Sequence, residues 1–63
     1  MNLSPRQLAI AQLVVAARSN RQIAEQLGLV EQTVKNQLVE IYRRAGVSNR
    51  SQFIVLMLRR SAA

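Results

Sequence analysis

The chain has no cysteine and no histidine, and its only acidic residues are Glu25, Glu31 and Glu40. Without cysteine, neither a disulfide nor a thiolate metal site can staple the fold. Without histidine, the commonest general base and metal ligand is missing. Three scattered glutamates form no carboxylate pair, and no nucleophile has an evident activating base. The expectation is a non-enzyme with no catalytic residue, no metal site and no cofactor. Long apolar runs are also lacking: the longest, residues 53–58, is far short of the roughly 20 residues a spanning helix needs. No signal peptide, repeat, low-complexity tract or internal linker is visible, so a cytoplasmic location is expected. Residues 1–63 read as one domain with an ordered core over about 3–60, and the tail from Ser61 as disordered.

What is present is basic charge. Nine Lys and Arg against three Glu give a formal net charge of +6, and eight of the nine are Arg. The isoelectric point is near 11.8. A planar guanidinium fork suits phosphate and guanine better than a point charge does. A small folded chain of this balance favours a polyanionic partner, nucleic acid or an anionic membrane surface. At 63 residues it would bury only roughly 60% of its unfolded surface, which leaves a small core to hold it together.

The first helix carries a full start signal. Ser4 can cap, Pro5 suits the first helical position, Gln7 can close a capping box, and Leu3 can staple onto Leu8. Ile10, Leu13, Val14 and Ala17 recur at core spacing, with Leu8, Ala11 and Val15 on a second side, and all are expected in the core. Ser19, with Gln22 three positions on, predicts a second helix over 20–27, with Ile23 and Leu27 inward and Ala24 at a close approach. Gly28 falls where that helix should end in a positive-φ turn. The capped N-terminus beside Asn20 and Arg21 offers free N–H groups and positive charge suited to a phosphate.

The third helix, expected over 31–45, has two contrasting sides. At 100° per residue, Val34, Leu38, Ile41 and Ala45 share one narrow sector, while Gln32, Lys35, Asn36, Val39 and Arg43 share the opposite one. The second set is rich in side chains that bond to base edges and nearly free of acid, the composition of a DNA-recognition helix. Its cap position, Val30, is a poor capping residue, offset in part by Glu31 in the first turn. Gly46 should end it. Ser48 is the expected cap of a fourth helix over 49–60, with Phe53, Ile54 and Met57 inward. Gln52, Val55, Leu56 and Arg59 share its outer side at the spacing of a helix–helix seam, which predicts a homodimer.

The segments LSPR, SNRQIAEQLGL and TVKNQLVEIYRRAGVSNRSQ resemble the C-terminal DNA-binding domain of the LuxR family (the LuxR/GerE or FixJ/NarL type), over roughly residues 3–58. The resemblance implies an all-α four-helix bundle, with helices 2 and 3 as a helix-turn-helix and helix 4 for dimerisation. It further implies base contacts from positions matching Lys35, Asn36 and Val39, to which the residue reading adds Gln32. Phosphate contacts are implied at Asn20, Arg21, Thr33, Gln37 and Arg43 or Arg44. Lys35 can donate to guanine, Asn36 can pair with adenine, and Val39 can pack on a thymine methyl. An upstream receiver or ligand-sensing domain is implied as well, and the added apolar bulk of Leu8, Val15 and Phe53 leaves room for a partner protein.

Several positions depart from that family pattern. Gln7 and Ala9 stand where acids are usual, so an internal acid–base contact is expected to be missing. Ala17 replaces a usual glycine and should lengthen helix 1. Gln37 replaces a common histidine, Val30 a small cap residue, and Phe53 a usual alanine. The function expected is sequence-specific double-stranded DNA binding by a transcription regulator or its output domain, with two copies on half-sites about 10 bp apart. The alternative is a protein-interaction module that sequesters another regulator through apolar helices 1 and 4, motivated by Leu8, Val15, Val55 and Leu56. A membrane-bound amphipathic peptide is disfavoured, because repeated caps and a glycine turn specify a packed bundle.

Overall fold

A computed structural model describes residues 1–61. Four helices follow one another: α1 (Pro5–Val15), α2 (Asn20–Leu27), α3 (Glu31–Ala45) and α4 (Arg50–Ser61). The fold is all-α, and no strand occurs among the described residues. Both α1 and α3 pack against all three other helices, so they form the middle of the bundle. The core consists of Ile10, Ala11 and Val14 from α1, Ile23 and Ala24 from α2, Val34, Leu38 and Ile41 from α3, and Phe53 from α4. Around it lie half-buried Leu3, Leu13, Leu27, Leu29, Tyr42, Ala45, Val47, Ile54 and Met57. Phe53 is the largest fully buried side chain, with its ring centroid 5.5 Å from that of Tyr42. The extra bulk relative to the family's usual alanine therefore goes into the core rather than onto the surface.

The helix starts follow from their capping residues. In α1 and α2, Ser4 and Ser19 each accept from the backbone N–H three residues on, at 3.1 Å, while Gln7 and Gln22 accept from the cap N–H at 3.0 and 2.9 Å. Helix α3 begins after Val30 with no side-chain cap. The cap of α4 differs from expectation: Asn49 accepts from Gln52 N–H at 2.9 Å, and Ser48 N–H donates to Gln52 Oε1 at 2.8 Å. Asparagine caps as well as serine does, and its Oδ1 reaches the first turn from one position later. Helix α4 also includes Ser61, assigned above to a disordered tail; Ala62 and Ala63 lie outside the described residues.

Two further expectations for α1 fail. Ala17 does not lengthen the helix and is not in the core; it is exposed, with φ +64°. Arg18 N–H reaches the Leu13 carbonyl and Ala17 N–H that of Val14, both at 3.0 Å. These are the two bonds of a Schellman stop, and they offset the left-handed conformation of an alanine. Leu8 is 46% exposed, because it lies at the edge of α1, lining a shallow depression with Met57 of α4 instead of entering the core. At the ends of α2 and α3, Gly28 (φ +68°) and Gly46 (φ +72°) take the same conformation without a Cβ penalty.

Candidate nucleic-acid interface

Helices α2 and α3 are joined by Gly28, Leu29 and Val30, and Leu29 N–H bonds back to the Ala24 carbonyl at 2.8 Å. The left-handed Gly28 turns the chain sharply, so that α3 leaves with Val34, Leu38 and Ile41 against the core. Because a helix has two sides, burying that stripe turns Gln32, Lys35, Asn36, Val39 and Arg43 outward, and all five are exposed. Val39 is 69% exposed, unusual for an apolar residue in the middle of a helix flanked by polar groups. No other part of the described chain covers this side.

The polar groups on it are partly pre-arranged. Gln32 Nε2 donates to Asn36 Oδ1 at 3.0 Å, leaving the Asn36 amide nitrogen outward. Glu40 accepts from Arg43 at 2.7 Å and from Arg44 at 2.9 Å. These bonds, that from Arg43 first, hold the Glu40 carboxyl at about 2, below its ordinary 4.5. The same bond pushes the Arg43 pKa up. Burial pushes that of the half-buried Tyr42 up as well. Arg44 also donates to the Asn2 carbonyl at 2.8 Å, tying the N-terminal arm to the end of α3. Arg21, at the start of α2, pairs with Glu25 at 3.2 Å, both largely exposed. Surface pairs of this kind are weak and readily exchanged for a phosphate.

The residues expected at phosphates fall into two groups. Asn20 and Arg21 lie in the first turn of α2, whereas Thr33, Gln37, Arg43 and Arg44 lie along α3. Thr33 and Gln37 are half-buried on the flank facing the start of α1. Two connections had no signal in the linear sequence. Arg50 donates to Asn20 Oδ1 at 3.2 Å and to the Arg18 carbonyl, bracing the start of α2 from the start of α4. Gln7 Nε2 donates to Gln37 Oε1 at 3.2 Å, so a neutral amide contact stands where an acid–base contact was expected to be missing. An arginine fork seeking acceptors and a buried amide each announce a need for a partner, but neither names it.

On α4, Gln52, Val55, Leu56 and Arg59 come together with Val47 and Ser51 around one shallow depression. Val55 is 48% exposed and Leu56 half-buried. Among the described residues no cluster of acidic residues could hold a metal ion, and no helix is long and apolar enough to cross a membrane.

Comparison with known proteins agrees with this geometry. The family described as bacterial regulatory proteins, luxR family (GerE), matches residues 1–57. The two-component response regulator PprB of Pseudomonas aeruginosa is 42% identical over 55 residues, covering 87% of this chain and 20% of that protein. The putative HTH-type transcriptional regulator YhjB of Escherichia coli is 38% identical over 56 residues, 89% of this chain and 28% of that protein. The spore germination protein GerE of Bacillus subtilis is 33% identical over 57 residues, 90% of this chain and 77% of that protein. The chain thus spans between a fifth and a third of the length of the first two relatives and most of the third. With four helices, a glycine-turned α2–α3 pair and a match over nearly all of its length, the chain belongs to the luxR family of bacterial regulatory proteins.

Proposed function

We propose that this domain binds double-stranded DNA sequence-specifically in transcription regulation, with α3 in the major groove. Its role is binding and not catalysis, as befits a family of regulatory DNA-binding domains. The observation that carries the reading is the division of α3: an apolar stripe fixed in the core and an opposite polar side left free of intramolecular cover. Lys35, Asn36, Val39 and Gln32 contact base edges. Asn20, Arg21, Thr33, Gln37, Arg43 and Arg44 contact phosphates, aided by the α2 N-terminus. The depression bounded by Gln52, Val55, Leu56 and Arg59 pairs two copies on adjacent half-sites. A receiver domain upstream is the natural complement, since PprB is a response regulator of which the match covers 20%. Such a protein works in the cytoplasm.

The test is competition binding against randomised duplexes, with the stoichiometry of the bound complex. Lys35→Ala and Asn36→Ala each relax base preference by roughly 1–3 kcal/mol, while Arg21→Ala weakens all sequences alike. Unchanged preference in both α3 variants counts against the assignment.

A second reading, sequestration of another regulator, draws on the apolar edge between α1 and α4, where Leu8, Val15 and Met57 line a depression and Leu58 is 54% exposed. Salt dependence separates the two. DNA binding through phosphates falls with a log–log slope of about −0.9 per contact, whereas a sequestering module shows no DNA affinity even at low salt.

A further inference from the structure

Two hydrogen bonds in series fix the orientation of an amide on the α3 flank. Ser4 N–H donates to Gln7 Oε1 at 3.0 Å, and Gln7 Nε2 donates to Gln37 Oε1 at 3.2 Å. A backbone N–H can only donate, so Gln7 must meet it with its oxygen. With that oxygen turned toward Ser4, the amide points its NH2 group at Gln37, which must answer with its own oxygen. The NH2 group of Gln37 is thereby directed away from α1. It has no partner within the described chain, and no buried side-chain polar atom lacks a partner, so this group lies at the solvent surface. Gln7 itself is 6% exposed, the only buried polar side chain among the described residues, and turning its amide over would set two N–H groups against each other.

We infer that Gln7 is a positioning residue for DNA binding: it locks the Gln37 amide with its donor outward, the orientation an acceptor-only phosphodiester oxygen requires. The inference rests on the phosphate contact proposed above for Gln37. A free glutamine could present either end to solvent and would lose rotamer freedom on binding. Here that ordering is completed in the folded domain before DNA arrives. The polarity originates at the α1 cap, passes through the core and reaches the DNA-facing helix.

The test is a double-mutant cycle on the intact chain, combining Gln7→Glu with Gln37→Ala. Affinity is read for a mixed-sequence duplex at low salt, and thermal midpoint for each variant. Glutamate keeps the cap, since one oxygen still accepts from Ser4 N–H. Its other oxygen can only accept, so it draws the Gln37 NH2 inward and turns the amide oxygen toward the phosphate. We expect Gln37→Ala to weaken binding about fivefold and Gln7→Glu by at least as much, with Gln7→Glu costing less than about twofold once Gln37 is alanine. An equal cost in both backgrounds means that the added charge acts on DNA directly, which overturns the positioning role and leaves the phosphate contact standing. No loss in Gln37→Ala removes the contact and the inference with it. Gln7→Met, which keeps the bulk and cannot donate, serves the same cycle if Gln7→Glu fails to fold. In the wild-type chain the Gln37 side-chain NH2 resonances should shift on adding duplex, and resonances unmoved by saturating duplex overturn the inference.

Discussion

Arg50, in the first turn of α4, donates to Asn20 Oδ1 in the first turn of α2. The two helices otherwise meet only through α1 and α3, so this side chain is the direct strut between them. By occupying the Asn20 oxygen it leaves the amide nitrogen free to face outward, beside the α2 N-terminus and Arg21. Arg50→Lys removes the planar fork that reaches both Asn20 and the Arg18 carbonyl. It should cost about 1–2 kcal/mol in urea unfolding and weaken binding to all duplexes modestly. Unchanged stability would show that the strut carries nothing.

Ala17 takes a left-handed conformation at the stop of α1. Glycine there avoids the Cβ penalty, although its unfolded state has more freedom to lose. Ala17→Gly should raise stability by about 0.5–1 kcal/mol, seen as a higher urea midpoint at unchanged m-value. A lower midpoint would mean that Ala17 makes an apolar contact worth more than its strain.

The start of α3 has no side-chain cap, in contrast to the boxes at Ser4 and Ser19. Ser19→Ala should cost about 1 kcal/mol, and Val30→Ser should gain a similar amount by capping α3. Amide exchange at residues 31–34 is the local readout: protection should rise in Val30→Ser and remain unchanged in Ser19→Ala.

Glu40 ties up two arginines of α3, and its pKa is lowered from 4.5 to about 2. A depressed carboxyl stabilises the fold fully above its unfolded value. That contribution is lost as pH falls from about 4.5 through about 2. Glu40→Gln should therefore lower the neutral plateau slightly, flatten the acid limb of the stability curve in that window, and converge with the wild type below it. It should also free Arg43 and Arg44, raising affinity for every duplex and steepening the salt slope by up to about 0.9 per arginine released. An unchanged salt slope would place both arginines away from the backbone.

Phe53 fills the centre of the bundle with none of its surface exposed. Phe53→Ala should cost about 3–5 kcal/mol, enough to unfold so small a domain in large part, with loss of cooperative melting as the measurement.

The helices were legible in the sequence because each carries its own local signals. The boxes at Ser4 and Ser19, the glycines at 28 and 46, and the 34–38–41 stripe all act within a few residues of themselves. The cap of α4 was misplaced by one position because Ser48 and Asn49 are both good caps, and only backbone geometry chooses between them. Ala17 misled because propensity favours alanine inside a helix, while the Schellman bonds that override it involve carbonyls invisible to side-chain pattern. The outward side of α3 followed directly from helical period. The links from Gln7 to Gln37 and from Arg50 to Asn20 did not, since each joins residues 30 apart in the chain.

The polar link between α1 and α3 is made by two amides, and the whole chain contains no imidazole. Amides neither take up nor release a proton under conditions a cell experiences, whereas an acid facing an imidazole would alter its charge as the surroundings acidify. In this chain that link keeps the same electrical character through an acid shock, and any response of DNA binding to such a stress must arise elsewhere.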